Sequence, residues 1–175
     1  MAIVKSDTSL SPGSSPDGSS LSPVRTLDEL IARHPAELRA RYLAGTPVAL
    51  SQLKAHTWRG EMLAFEWMKH GYAIARPMFK LASWIFFWPW TGMRFEDEVG
   101  TNIWLGASFL RFKNGTGPSL LDDEPTFQFL YDEVKQAWPT KNMVDEVRLV
   151  GDDLVVGATF RNKSPTIWFG LEPKR

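Results

Sequence analysis

Asp145, Glu146 and Arg148 fall inside one apolar run, Met143-Val-Asp-Glu-Val-Arg-Leu-Val150, and Tyr131 and Asp132 lie near the end of another, Thr126–Val134. Along an extended chain successive side chains point to opposite faces. Asp145 therefore shares a face with Val147 and Leu149, while Glu146 and Arg148 share the other with Val144 and Val150. One acid must lie among apolar residues whichever face is buried. By the same alternation, Tyr131 or Asp132 points inward. A carboxyl in an aromatic cavity has its ionised form desolvated and titrates nearer neutrality, while a neighbouring arginine acts in the opposite sense. Such a group can donate or accept a proton near neutral pH. Tyr131, Asp132, Glu146 and Arg148 are accordingly the catalytic candidates. The competing role for the same residues is structural, as a solvated outer face or an Arg–carboxylate pair.

Other chemistries find less support. The chain has no cysteine, which excludes disulfides, thiolate nucleophiles and Cys-ligated metal. His34, His56 and His70 never form the i, i+2 or i, i+4 pairs that commonly hold a metal, so no metal site is expected. Gly106-Ala-Ser-Phe-Leu110 lacks the second glycine of a nucleophile elbow and sits in an apparent strand. Gly115-Thr-Gly-Pro-Ser119 lacks the lysine of a phosphate loop and reads as a hairpin turn. No dinucleotide fingerprint is present, and no cofactor is expected. Lys+Arg 20 balance Asp+Glu 20, which removes the broad attraction that nucleic-acid binders exert on phosphates.

The chain is rich in aromatic residues, with 8 Trp, 11 Phe and 3 Tyr in 175 residues. Trp58, Trp84, Trp88, Trp104, Phe129 and Trp168 are the candidate walls of a pocket for a hydrophobic small molecule. Tyr72–Trp90 reads as a helix interrupted near Pro77. The uncharged stretch 81–93 would rise only about 20 Å as a helix, short of a hydrocarbon core of about 30 Å. The readings for this segment are a core plug, a lid over the pocket, or a peripheral membrane patch helped by Lys69, Arg76, Lys80 and Arg94.

These residues need a frame. Residues 1–24 are dominated by Ser, Pro and Gly, have no aromatic and read as a disordered tail, leaving 25–175 as a single small-molecule-binding β-rich domain. The start carries no apolar run long enough for a secretory signal, which predicts a cytoplasmic protein. Thr26-Leu-Asp-Glu29 spells a capping box for a helical pair that Pro35 breaks or kinks and Gly45 ends. Thr46-Pro47 reads as the start of a short helix to about His56. Strands are expected at Trp58–Phe65, Met93–Val99, Ile103–Phe112, Thr126–Val134, Val144–Val150, Leu154–Phe160 and Thr166–Leu171. A sheet of that size with one aromatic face closes into a barrel or curls around a helix. The expected fold is mainly β with N-terminal helices, a calycin-like antiparallel barrel. The alternative is an α+β cone whose helices close one side of a curved sheet.

Two stretches resemble a family of small bacterial and fungal proteins known by a Gly-x-Trp-x-Gly motif followed by a C-terminal meander of unknown function. His56-Thr-Trp-Arg-Gly60 supplies the Trp and the last Gly, with histidine at the first Gly. Met143–Val150, the acidic turn Gly151-Asp-Asp153, Leu154–Gly157 and Ile167–Glu172 resemble the meander. A tryptophan in the first β element is also similar to the calycins, the lipocalin-type barrels in which it plugs one end. That likeness implies a cup for a hydrophobic ligand. The function expected is a cofactor-independent isomerase or cyclase acting on a terpenoid or polyketide-like compound of secondary metabolism. The alternative is a non-catalytic carrier or sensor of such a ligand.

Overall fold

The computed structural model describes residues 21–31, 33–67, 90–134 and 140–174. Within the tail, Ser22 and Val24 are anchored: the Ser22 carbonyl accepts from Arg41 at 2.9 Å, and Val24 is buried under the helices. Residues 1–20 lie outside the described residues, as does the reading of 72–90 except for Trp90.

Helix α1 (Leu27–Leu30) is a single turn. Pro35 begins the second helix, α2 (Pro35–Ala44), at the position where its missing N–H costs nothing, and His34 Nδ1 caps it by accepting from Ala36 N–H at 3.1 Å. Thr46-Pro47 does not open a helix. It forms a two-residue strand, β1 (Thr46–Pro47), whose ladder partners are found far away in sequence, and α3 (Leu50–Lys54) starts three residues later.

Eight further strands follow: β2 (Trp58–Phe65), β3 (Trp90–Phe95), β4 (Val99–Trp104), β5 (Ala107–Pro118), β6 (Pro125–Leu130), β7 (Met143–Leu149), β8 (Val155–Arg161) and β9 (Ser164–Pro173). Each pairs antiparallel with the next. The last pairs back to β2, from Trp58↔Pro173 to Phe65↔Ile167, so the sheet closes on itself. The result is a calycin-like, closed eight-strand antiparallel barrel, with β1 attached to the end of β7. The helices do not fill a gap in an open cone. Among the described residues no helix is long and apolar enough to cross a membrane.

The expected strand Ile103–Phe112 is a hairpin instead. Leu105 and Gly106 both take positive φ, 49° and 82°, in a two-residue turn whose twist matches the flanking strands. Conversely, Gly115–Pro118 is strand and not turn, paired with β6, and the chain reverses at 119–124. The Leu130 and Gln128 side chains lie over these glycines, their ends 2.8 Å from where a Cβ on Gly115 or Gly117 would stand.

The barrel wall is buried on both sides over β7, β8 and β9. Inside, Phe95, Phe112, Phe127, Phe129 and Phe169 fill the lower lumen, with Phe112 and Phe129 stacked at 4.5 Å. At that end α3 buries Leu53, whose carbonyl accepts from Trp58 Nε1 at 2.7 Å. Outside, α1 and α2 lay Leu27, Leu30, Leu38 and Tyr42 on Leu63, Phe160 and Trp168. A buried side chain of this size contributes about 1.5–3 kcal/mol, so the helices form a second core.

Candidate functional site

The opposite end of the lumen is bounded by the end of β2, the start of β3, the β4–β5 hairpin, the end of β6, the start of β7 and the β8–β9 turn. A pocket of about 100 Å³ lies there. Its apolar wall includes Met62, Trp90, Leu110, Met143, Ile167 and Phe169, and its polar groups come from Asn102, Trp104, Tyr131, Asp145 and Thr159. All eight barrel strands contribute to the lining, directly or through the residue next in chain.

Four of these side chains form a chain of hydrogen bonds that runs in one direction. Trp90 Nε1–H donates to Asn102 Oδ1 at 2.9 Å, and Asn102 Nδ2–H donates to the Tyr131 hydroxyl at 3.1 Å. The Tyr131 hydroxyl donates to Asp145 Oδ2 at 2.8 Å. Two local features hold the chain in register. Leu110 occupies a β-bulge with φ 52°, which turns its carbonyl to accept from Asn102 Nδ2 at 3.0 Å. Gly60 leaves room for the Trp90 ring, because a Cβ there would lie 2.5 Å from it.

The chain ends on Asp145, which is 3% exposed and whose Oδ1 has no hydrogen-bond partner among the described residues. Burial pushes this carboxyl up to about 6. The Thr159 and Tyr131 hydroxyls act in the opposite sense, although Thr159, across the β7–β8 ladder, does not reach hydrogen-bond geometry with Oδ1. Burial, reinforced by the adjacent carboxylate, pushes the Tyr131 phenol well above its usual range. Tyr131 is therefore a proton donor within a hydrogen bond, and Asp145 is the group that can exchange a proton near neutral pH. The indole Nε1 of Trp104, on the same pocket, is also buried without a partner.

The sequence candidates are distributed differently. Tyr131 and Trp104 belong to the pocket. Glu146 and Arg148 lie on the outer face of β7. Glu146, fully buried, accepts from Ser119 Oγ at 2.7 Å, from the Tyr42 hydroxyl at 3.1 Å, and from Leu120 N–H and Gln128 Nε2. Arg148 makes a bidentate pair with Asp122 at 2.7 Å for each bond and stacks 4.7 Å from the Tyr42 ring. The pair lowers Asp122 and raises Arg148, chiefly through their mutual hydrogen bonds. Burial pushes the Tyr42 phenol up to about 12. These residues pin the 119–124 turn and α2 to the barrel wall, away from the lumen. Asp132 is exposed at a turn and accepts from Asn142 N–H at 3.0 Å.

Among the aromatic candidates, Trp58 closes the lower end and Phe129 lies in the lower lumen. Trp168 faces outward, packs edge-on against Tyr42 at 6.0 Å and donates to Glu66 at 2.7 Å, so it is not a pocket wall. Trp84 and Trp88 fall outside the described residues. Asp145, Asn102 and Trp90 are the additions the structure makes. Alternation already placed Asp145 opposite Glu146, and only the position of the helices shows which side is the lumen. Among the described residues no group of His, Cys, Asp or Glu is placed to hold a metal ion.

The fold and the pocket define a calycin-like barrel with a buried aromatic cluster and an internal carboxyl. No family model matches the sequence, including any for the Gly-x-Trp-x-Gly proteins, and no curated protein matches it. Among solved structures, a protein from Thermomonospora curvata is similar, with a TM-score of 0.55 at 19% identity over 82% of this chain and 89% of that one. That likeness shows the fold alone.

Proposed function

We propose that the protein is a cofactor-independent isomerase or cyclase that moves a proton on a hydrophobic small molecule, with Asp145 as the acid–base group. The observation that carries this reading is the free Oδ1 of a buried carboxyl held from behind by Tyr131. A carboxyl fixed on one oxygen, with the other facing an apolar pocket and titrating at about 6, is suited to take up and return a proton at neutral pH. The pocket supplies shape and exclusion of water, and the chain from Trp90 through Asn102 and Tyr131 supplies orientation.

The test begins with a titration of intrinsic tryptophan fluorescence by apolar extracts, followed by mass analysis of what wild type and Asp145→Asn bind. An isomer or ring-closed product from wild type, with unchanged compound from the variant, is the expected result. Unchanged compound recovered from both would make the protein a carrier or sensor.

A further inference from the structure

Within the pocket the polar atoms of Asn102 are matched: Oδ1 accepts from Trp90, and Nδ2 donates to Leu110 and Tyr131. Two buried atoms of pocket-lining residues are not. One is an acceptor, Asp145 Oδ1, and the other is a donor, Trp104 Nε1–H. A buried polar atom without a partner is costly, and each such exception in a folded protein calls for an explanation. The two belong to β7 and β4, three strands apart on the closed ring, each on a residue that lines the pocket.

From this pair we infer that the pocket takes the ring end of an unsaturated cyclic ketone, with the carbonyl oxygen accepting from Trp104 Nε1–H and the adjacent carbon presented to Asp145 Oδ1. The inference rests on the acid–base reading of Asp145 and names its substrate class. A carbon gives up a proton to a carboxylate when a neighbouring carbonyl can take the electron pair, and the oxygen that gains charge is stabilised by a fixed donor. Trp104 is the unmatched donor in place. The pocket, at about 100 Å³, is smaller than an apolar cavity of about 150 Å³ that admits benzene, so one edge of a ring enters and the rest of the molecule projects outward. An anionic ligand is disfavoured by the carboxylate.

In the step this implies for a β,γ-unsaturated ketone, the α C–H bond breaks and its proton passes to Asp145 Oδ1. The electron pair forms a double bond between the α carbon and the carbonyl carbon, and the carbonyl π pair moves to oxygen, held by Trp104. Asp145 then returns the proton to the γ carbon, which takes it with the β,γ π pair, as the carbonyl re-forms and the pair it displaces makes the α,β double bond. The double bond moves into conjugation, and no oxidant or reductant is consumed.

The probes are 3-cyclohexen-1-one and methylcyclohexane, titrated into the full-length protein while the indole N–H resonances are followed by NMR, Trp104 being assigned with Trp104→Phe. The ketone should shift the Trp104 resonance and bind about five- to tenfold more tightly than the hydrocarbon, the worth of one hydrogen bond. Trp104→Phe should erase that preference. Equal binding of both compounds to wild type, an unmoved Trp104 resonance, or a preference that survives Trp104→Phe would overturn the inference. Wild type should convert the ketone to its conjugated isomer, and Asp145→Asn should not. Ketone binding through Trp104 without conversion by wild type would leave the ligand class standing and remove the proton-transfer role of Asp145.

Discussion

Tyr131 and Asp145 are joined by a 2.8 Å hydrogen bond in which the phenol donates to Oδ2, at a depth where each residue is only 3% exposed. The bond occupies one carboxyl oxygen and leaves the other to the pocket. It also couples two titrating groups: the bond lowers Asp145, and the carboxylate raises Tyr131. Stability and proton affinity at this point of the barrel are therefore linked.

The sign of that linkage is the reverse of the one usual for carboxylates. Asp145 has its folded value raised from 3.8 to about 6. Below the unfolded value both states hold the proton and no cost arises. Between the two values the folded chain binds more protons than the unfolded chain, so stability falls as pH rises. The cost is complete above about pH 7, at about 3 kcal/mol. Urea unfolding of wild type and Asp145→Asn at about pH 4.5 and 7.5 should show the variant gaining on wild type at the higher pH. A difference that does not change with pH would show that the carboxylate is carried in the lumen without penalty.

Tyr131→Phe keeps the ring and removes the donor. Asp145 should then titrate higher than about 6, because burial remains while a hydrogen bond to the ionised form is lost. A ¹³C-carboxyl NMR titration measures this directly. If ionised Asp145 is the base, the midpoint of the rising limb of any rate profile should move up by the same amount. A downward or absent shift would mean that the phenol does not stabilise the carboxylate.

Much of the barrel is legible in the sequence because the inward positions of β6 are aromatic, those of β9 are apolar, and the turn after β8 is polar. The β4–β5 reversal is not, since Leu105 takes a positive φ without the Asn or Asp that usually announces one. The choice of inner acid is not legible either. Alternation separates Asp145 from Glu146 but cannot say which is inside when both faces of β7 are covered. Glu146 is covered by Tyr42, 104 residues away, and by Ser119, 27 residues away. Such partners leave no local periodicity to read.

Arg148→Ala should separate support from chemistry. It strips Asp122 of a bidentate partner and leaves a hole beside Tyr42, on the side of β7 away from the pocket. The expected loss is about 2–3 kcal/mol of stability, because Arg148 is buried while Asp122 keeps partial access to water. Cleavage in the 119–124 turn by limited proteolysis should accelerate. Ligand affinity per folded molecule should stay at the wild-type value, and a loss measured at a temperature where the variant is fully folded would place Arg148 in the binding machinery after all.

Leu105 combines two costs that a purely structural turn would avoid. Its φ of 49° is one that asparagine adopts more readily than leucine, and its side chain is 61% exposed. It stands at the tip of the hairpin whose arms bring Trp104 and Leu110 to the pocket, with Phe109 also exposed beside it and packed edge-on against Trp104 at 5.8 Å. An apolar molecule projecting from the pocket would cover these side chains. Leu105→Asn should therefore raise the urea midpoint, by about 0.5–1 kcal/mol in stability, since asparagine suits the first position of a type I′ turn. The same change should weaken binding of a hydrophobic ligand about threefold to fivefold, the value of part of a leucine side chain removed from water. Both measurements use one variant and move in opposite directions. A variant that is more stable and binds as well as wild type would show that the hairpin tip lies beyond the reach of the ligand.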